Sequence, residues 1–355
     1  MPRLLKVDPL NPEPWAIRQA AQAIREGLLV AFPTETVYGL GADALNRSAV
    51  MRIFEAKGRP LDNPIIVHIA SLEQLHNLAE EVPEKALELA RRFWPGPLTL
   101  ILRRRKHIPS EVSAGLPTLA VRMPAHKVAL ALIEEAGRPI AAPSANLASR
   151  PSPTRAEDVL EDLGGRVDVI LDAGETPLGV ESTVLNVSVE PPVLLRPGAV
   201  TLEELTEVLG RVELSEAAKA ERPFEGRAEA PGMKYRHYAP RAPLVLVEGG
   251  PEDVFAKVAA LARLKAEEGK RVGILATLQG LPFYPAGAEV AVLGDRRDPS
   301  AIARNLYRCL RELDRRGVDI ILAEGFPLEG LYFAVENRLR KASGYTIIRA
   351  EREDF

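Results

Sequence analysis

The sequence predicts an α/β protein of two units joined by a linker, and three observations predict it. Its 355 residues suggest about two domains, each long enough for its own core. Short apolar strand patterns alternate with amphipathic helical ones over most of the chain. Between residues 211 and 241 that alternation stops, and small, charged and helix-breaking residues take over. The expected boundaries are a domain over 1–210, a linker over 211–241 and a smaller domain over 242–355.

In the first domain Asn11-Pro12 opens a helix whose Ile17, Ala20, Ala21 and Ile24 share a face, and Gly27 closes it. LLVAF reads as a buried strand, a helix through Ala49, Ile53 and Phe54 follows, and PIIVHIA is the next strand. Two helical stretches bracket Pro83, and Trp94-Pro95-Gly96-Pro97 interrupts the chain before the strand LTLIL. TLAVRM, PIAA, VDVILDAG, STVLNVS and VLLRP supply further strands, with helices over HKVALALIEEAG, AEDVLEDL and TLEELTEVLG. This mixture points to one large, twisted, mixed sheet. Beyond the linker, LVLVEG, RVGILAT, AEVAVLG and VDIILAEG are strands. Helices run to about Glu268, from Ser300 to Arg316 and over LYFAVENRLRKAS. Apolar strands alternating with amphipathic helices indicate a small parallel three-layer domain, Rossmann-like in style.

Composition narrows the function classes. Net charge is −3, from 46 Lys+Arg against 49 Asp+Glu, whereas a protein built to grip duplex nucleic acid shows a basic excess. Only Arg103-Arg104-Arg105-Lys106 stands out, and it reads as a solvated hairpin after LTLIL. The N-terminus MPRLLKVDPLNPEP lacks the apolar core of a signal peptide. No apolar run approaches the roughly 20 residues a membrane span needs. The single cysteine, Cys309, rules out an internal disulfide, fits a reducing compartment and reads as a helix-packing thiol. Five scattered His and no Cys pair leave no dedicated metal site in view.

Candidate chemistry concentrates in the first domain. Gly39-Leu40-Gly41-x-x-Ala44 matches a dinucleotide fingerprint loosely, but Pro33 to Tyr38 separate it from the preceding strand. We read FPTETVYGLGADA as a loop whose turn needs glycine. No G-x-x-x-x-G-K-[ST] occurs, so an ATP site has to be made from side-chain cations and strand-end loops. Lys57 and Arg59 flank Gly58 ahead of Pro60, on a turn able to converge on an anion. His68 shares a strand face with Ile66, and Arg122 interrupts TLAVRM, where a lone charge needs a partner or a ligand. Ser144 and Asn146 follow the strand PIAA, Ser182 and Thr183 start another, and Arg196 ends a third. Taken singly, each has a plainer reading: turn chemistry for Ser and Asn, a surface ion pair for Arg, a satisfied, half-buried position for His68. Taken together, three arginines, a lysine and several hydroxyls are the inventory of an anionic small-molecule cleft. No carboxyl pair at telling spacing and no Ser-His-Asp grouping accompanies them, so the chemistry reads as electrostatic rather than nucleophilic.

PTETVYGLG, KGRP, NPIIVH, AVRMP, PSAN, VESTV, LLRPG and PGMKYRHYAP together resemble the threonylcarbamoyl-AMP synthases, in the long two-domain form of the YrdC-like family. Gly325-Phe326-Pro327, Asn337-Arg338 and Lys341-Ala342 fit that family's C-terminal domain. The resemblance implies a twisted sheet with a concave, positively charged cavity in the first domain. It implies a nucleotidyltransferase that condenses L-threonine, bicarbonate or carbon dioxide and ATP to threonylcarbamoyl-AMP and pyrophosphate. Magnesium would accompany the nucleotide, and a downstream threonylcarbamoyl transferase complex would deliver the group to the adenosine beside the tRNA anticodon. Direct RNA contact would be weak, the compartment cytoplasmic and the membrane not involved.

Carried over by the same resemblance, Thr36, His68, Arg122, Ala142 (through its backbone) and Ser182 match the threonine pocket. Arg59, Asn63, Thr118, Ser144, Ser152, Arg196 and Tyr235 match the ATP site, and Lys57 and Arg59 would supply the catalytic electrostatics. The linker would act as a lid over the site, with Tyr235 against the nucleotide. Freezing its eleven residues 230–240 costs on the order of 10–20 kcal/mol of backbone entropy, more than a ring contact returns, so part of it should be held in advance. A concave basic surface could also hold an RNA backbone, so the alternative is a non-catalytic RNA-binding or ribosome-assembly module, against which the negative net charge argues. A Rossmann-type oxidoreductase fails on the glycine spacing.

Overall fold

Apolar residues at alternate positions have to find sheet neighbours, and in the computed structural model they do so in two separate sheets. The structure describes residues 1–234 and 237–350. One unit comprises Met1–Ala148, Ser152–Ala218 and Phe224–Lys234; the other comprises Ser149–Pro151, Lys219–Pro223 and residues 237–350.

The first unit carries strands β1 (Arg3–Lys6), β2 (Val30–Pro33), β3 (Tyr38–Asp43), β4 (Ile66–His68), β5 (Leu98–Arg103), β6 (Thr118–Arg122), β7 (Ile140–Ala141), β8 (Val169–Asp172), β9 (Thr183–Asn186), β10 (Val193–Arg196) and β11 (Glu213–Leu214). They lie in the order β1-β8-β2-β3-β7-β4-β6-β5-β9-β10-β11, with parallel and antiparallel neighbours intermingled. The sheet is mixed, as expected. Helix α1 (Pro14–Arg25) starts on a proline at its first turn and buries Ile17, Ala20, Ala21 and Ile24 against Val30, Phe32 and Leu132. Helix α2 (Arg47–Lys57) is capped by Asn46, which accepts from the Ala49 amide, and ends on Gly58 at φ 62°, a left-handed position glycine adopts without strain.

Four strands escaped the sequence reading, the first being β1, whose four residues are too few to show a period. Tyr38–Asp43 is not a loop: it pairs antiparallel with β2, Phe32 opposite Gly39 and Val30 opposite Gly41. Its glycines hide the strand from an apolar-pattern search, yet they are what lets it pack. A Cβ at Gly41 would stand 2.7 Å from the Phe32 ring and 2.8 Å from Ile140. β11 lies inside the stretch read as linker and is too short to show a period. The fourth is the last strand of the second unit. The linker residues Ala228, Ala230 and Met233 pack into a core with Ile66, Ile101, Ala120, Val184 and Leu195, so residues 224–234 are part of the first unit's sheet face.

The second unit is an all-parallel sheet of β12 (Leu244–Gly249), β13 (Val272–Thr277), β14 (Glu289–Gly294), β15 (Ile320–Glu324) and β16 (Ile347–Ala350), ordered β14-β13-β15-β12-β16. Its buried Glu324 is surrounded by donors: the Thr277 amide and hydroxyl, the Tyr284 hydroxyl and Arg296, at 2.6–3.0 Å. Within the same unit Tyr238 stacks on Tyr307 at 5.5 Å, and the Ala239 amide donates to the Ser149 carbonyl. Arg311, fully buried, donates to the Pro151 carbonyl at 2.6 Å. Cys309 is buried in its helix beside the Val292 carbonyl, as a packing thiol should be. No helix among the described residues is long and apolar enough to cross a membrane.

The Gly41 packing makes a stability prediction. Replacing Gly41 by Val forces the Phe32 ring and Ile140 apart, and unfolding in urea should show a loss of about 1–3 kcal/mol or more. An unchanged midpoint would contradict the close approach.

Candidate functional site

The turn that follows β2 is fixed by a hydroxyl. Thr34 Oγ1 accepts from the Thr36 and Val37 amides at 3.1 and 3.3 Å and donates to the Val37 carbonyl at 2.7 Å. From outside, the Leu178 and Gly179 amides donate to the carbonyls of Glu35 and Thr36. Held this way, the Glu35 and Thr36 side chains face Arg122 at the end of β6. Arg122 Nη1 donates to Thr36 Oγ1 at 3.0 Å, and Nε donates to the Gly96 carbonyl at 3.3 Å. Arg122 Nη2 stands 2.6 Å from Glu35 Oε1, though off the N–H direction, so the two charges attract without an aligned hydrogen bond. Both side chains are buried.

β4 and β6 run parallel with His68 in register beside Arg122. Burial first, and the Arg122 charge second, push the His68 imidazole down to about 3, so it is neutral at pH 7. Its Nδ1 has no hydrogen-bond partner, and Phe32 packs edge-on against the ring at 6.1 Å. The half-buried histidine expected from the strand pattern is in fact fully enclosed.

A second group forms across β5, β9 and β10. Ser182 Oγ shares a hydrogen bond with Thr99 Oγ1 at 2.8 Å. Arg196 Nη2 donates to Ser182 Oγ at 3.2 Å, Nε to the Ser182 carbonyl at 3.0 Å, and Nη1 to the Pro231 carbonyl at 3.2 Å. The linker therefore reaches the site through its backbone. Lys234, three residues on, pairs with Asp62 at 3.0 Å.

The third group surrounds Lys57, the last residue of α2, where the helix dipole favours a cation. Its ammonium is buried and donates to the Ser144 carbonyl at 2.5 Å and to the Asn146 carbonyl. Ser144 is in turn bridged to Gly39 of β3. Past the glycine cap, Arg59 donates to the carbonyls of Asn63 and Pro64 at 3.2 and 2.7 Å, rigidifying the KGRP turn. Asn63 is buried with its Oδ1 unpartnered. Because Ile66 pairs with Ala120 in parallel register, the residues just before β4 approach Thr118, the first residue of β6. Thr118 and Arg122 thus mark the two ends of one strand, about 13 Å apart.

Ser152 is buried and donates to Glu181 Oε1 at 2.5 Å, tying it to the segment that leads into Ser182. The Ala142 amide donates to the Ile66 carbonyl, so only its carbonyl is left for a ligand. Tyr235 lies outside the described residues. Glu35, Thr99 and Glu181 went unnoticed in the sequence. Each carried a signal: an acid or hydroxyl enclosed by apolar or small residues in TETV, LTLIL and GVEST has to find a partner inside the fold. Among the described residues no cluster of three or more His, Cys, Asp or Glu could hold a metal ion.

Known proteins match nearly the whole chain. The family model Sua5_yciO_yrdC, described as telomere recombination, matches residues 22–198. A second, described as threonylcarbamoyl-AMP synthase, C-terminal domain, matches residues 200–344. A threonylcarbamoyl-AMP synthase of Pyrococcus abyssi is 56% identical over 337 residues, covering 95% of this chain and 96% of the relative. One of Bacillus subtilis is 50% identical over 345 residues, covering 96% and 97%. The crystal structure of P. abyssi Sua5 complexed with L-threonine superposes with a TM-score of 0.93 at 55% identity, covering 98% of this chain and 99% of that one.

The enclosed His68 yields a test of the site's burial. Its folded value lies below the ordinary 6.5, so the unfolded chain binds the proton first and this residue weakens the fold as pH drops from about 6.5 toward 3. Whatever stability wild type holds over His68→Asn at pH 7.5 should shrink by about 1.4 kcal/mol per pH unit below pH 6, read from urea unfolding of both. A pH-independent difference would mean the imidazole is solvated.

Proposed function

The chain belongs to the threonylcarbamoyl-AMP synthases, and on that footing we propose that the buried cations of its first unit gather L-threonine, bicarbonate and ATP into one reacting cluster. The observation that carries the residue assignment is Arg122: a guanidinium withdrawn from water, between Thr36 and His68, with donor capacity not yet aligned on any acceptor. A substrate carboxylate fits there because burying it elsewhere would leave it unpaired. Thr36, His68, the Ala142 carbonyl and Ser182 complete the threonine pocket. Arg59, Asn63, Thr118, Ser144, Ser152 and Arg196 hold the nucleotide, with Tyr235 contributed by the linker.

In the reaction the neutral threonine amine attacks the carbon of carbon dioxide, losing a proton to solvent, or that of bicarbonate, expelling water; an oxygen of the resulting carbamate then attacks the α-phosphorus, breaking its bond to the β-phosphate bridge and releasing pyrophosphate. That adenylyl transfer makes the enzyme a nucleotidyltransferase. Two anions must approach each other, so fixed positive charge stabilises the transition state most. Lys57 and Arg59 supply it, and their carbonyl partners hold them in place beforehand. Magnesium bound with the nucleotide would screen phosphate charge. The linker serves as lid: residues 224–234 are docked on the first unit, and the Pro231 carbonyl already touches Arg196. A partner complex then transfers the threonylcarbamoyl group to tRNA. A non-catalytic RNA-binding role gives no reason for cations folded inward onto carbonyls.

Pyrophosphate release from ATP should require both threonine and bicarbonate. Lys57→Ala and Arg59→Ala should each lower kcat by about 10²–10³-fold, in the range seen for removing one preorganised electrostatic group. Release that ignores threonine, or full activity in both variants, would overturn the assignment. Replacing residues 230–240 by Gly/Ser should slow turnover and release hydrolysed adenylate into solution; unchanged kinetics would remove the lid.

A further inference from the structure

Hydrogen-bonding capacity around Arg122 is out of balance in one direction. Glu35 is buried, and neither of its carboxylate oxygens accepts an aligned hydrogen bond. His68 Nδ1, on the residue paired with Arg122 in the β4–β6 register, is also unpartnered. Against these three stands a single unpaired donor, Arg122 Nη2. Native proteins rarely leave such atoms orphaned, because each forfeits the hydrogen bonds water would have given it. The ligand that repairs this set brings one acceptor group toward Arg122 and several donors toward Glu35 and His68. An α-amino acid zwitterion carries both on neighbouring atoms.

Charge leads to the same ligand. Arg122 and Glu35 form a neutral buried pair at 2.6 Å. A carboxylate arriving alone would leave a net negative charge in a site cut off from water, which is strongly unfavourable. An ammonium arriving with it keeps the cluster neutral and gives Glu35 the partner it lacks.

We infer that Glu35 receives the ammonium group of the amino-acid substrate and makes the pocket reject the corresponding acid without an amine. This inference rests on the reading that Arg122 takes the substrate carboxylate. Glu35 is well placed for the task, since the Thr34 turn and the Leu178 amide fix its backbone on both sides. A flexible acid would follow Arg122; this one is anchored independently of it.

The test compares binding of L-threonine and of (R)-3-hydroxybutyrate, the same acid lacking the amine, by calorimetry on the full chain. Wild type should prefer threonine by at least about thirtyfold, the effect of a charged hydrogen bond made in a buried site. Glu35→Gln should weaken threonine by about ten- to a hundredfold while leaving hydroxybutyrate unchanged or tighter, with Glu35→Asp between the two. Equal weakening of both ligands would reduce Glu35 to a prop for Arg122 and overturn the inference, as would a wild type that binds them equally. ATP affinity reports whether each variant is folded, and should Glu35→Gln lose it, the wild-type pair of ligands decides alone. Arg122→Gln should weaken both ligands together. Threonine binding untouched by that change would overturn the carboxylate reading instead, a result separable from the Glu35 comparison.

Discussion

Lys57, Arg122 and Arg196 are each almost wholly withdrawn from water, and the N-terminal sheet is arranged so as to give them oxygen in its place. An ion stripped of solvent without replacement would cost several kcal/mol, enough to unfold a domain of ordinary stability. The replacements come from far along the chain: Ser144 and Asn146 for Lys57, Thr36 and Glu35 for Arg122, Ser182 and Pro231 for Arg196. The cations end a helix or a strand while their partners lie on turns and loops elsewhere in the unit, so it is the closing of the fold that brings them together.

Lys57 and Arg196 donate to backbone carbonyls, and Arg196 also to the Ser182 hydroxyl. Arg122 stands against a carboxylate as well as a hydroxyl. The three cations sit at a helix end and at two strand ends, where the backbone already fixes their direction.

The architecture was largely legible in the sequence because it depends on periodicity. Long runs such as LTLIL, LVLVEG and the Ser300–Arg316 helix announce themselves through spacing alone. Tyr38–Asp43 did not, because its identity as a strand depends on the Phe32 ring filling the space its glycines leave, a fact about a neighbour rather than about the segment. The same limit applied to the site. Arg122 could be singled out as a charge in need of a partner, but nothing local says that the partner is Glu35, whose sequence separation is large and whose meeting with Arg122 requires the β2–β3 turn. Resemblance to a family supplied positions for the pocket; only the fold shows which of them touch.

The C-terminal unit is built from three stretches of chain, and one of them is Ser149–Pro151, threaded between Asn146 and Ser152. Arg311, Ala239 and Arg150 with its neighbour Asp314 fasten those three residues. Gene truncation after residue 234 would therefore strip this tripeptide of its moorings while sparing every strand of the larger sheet.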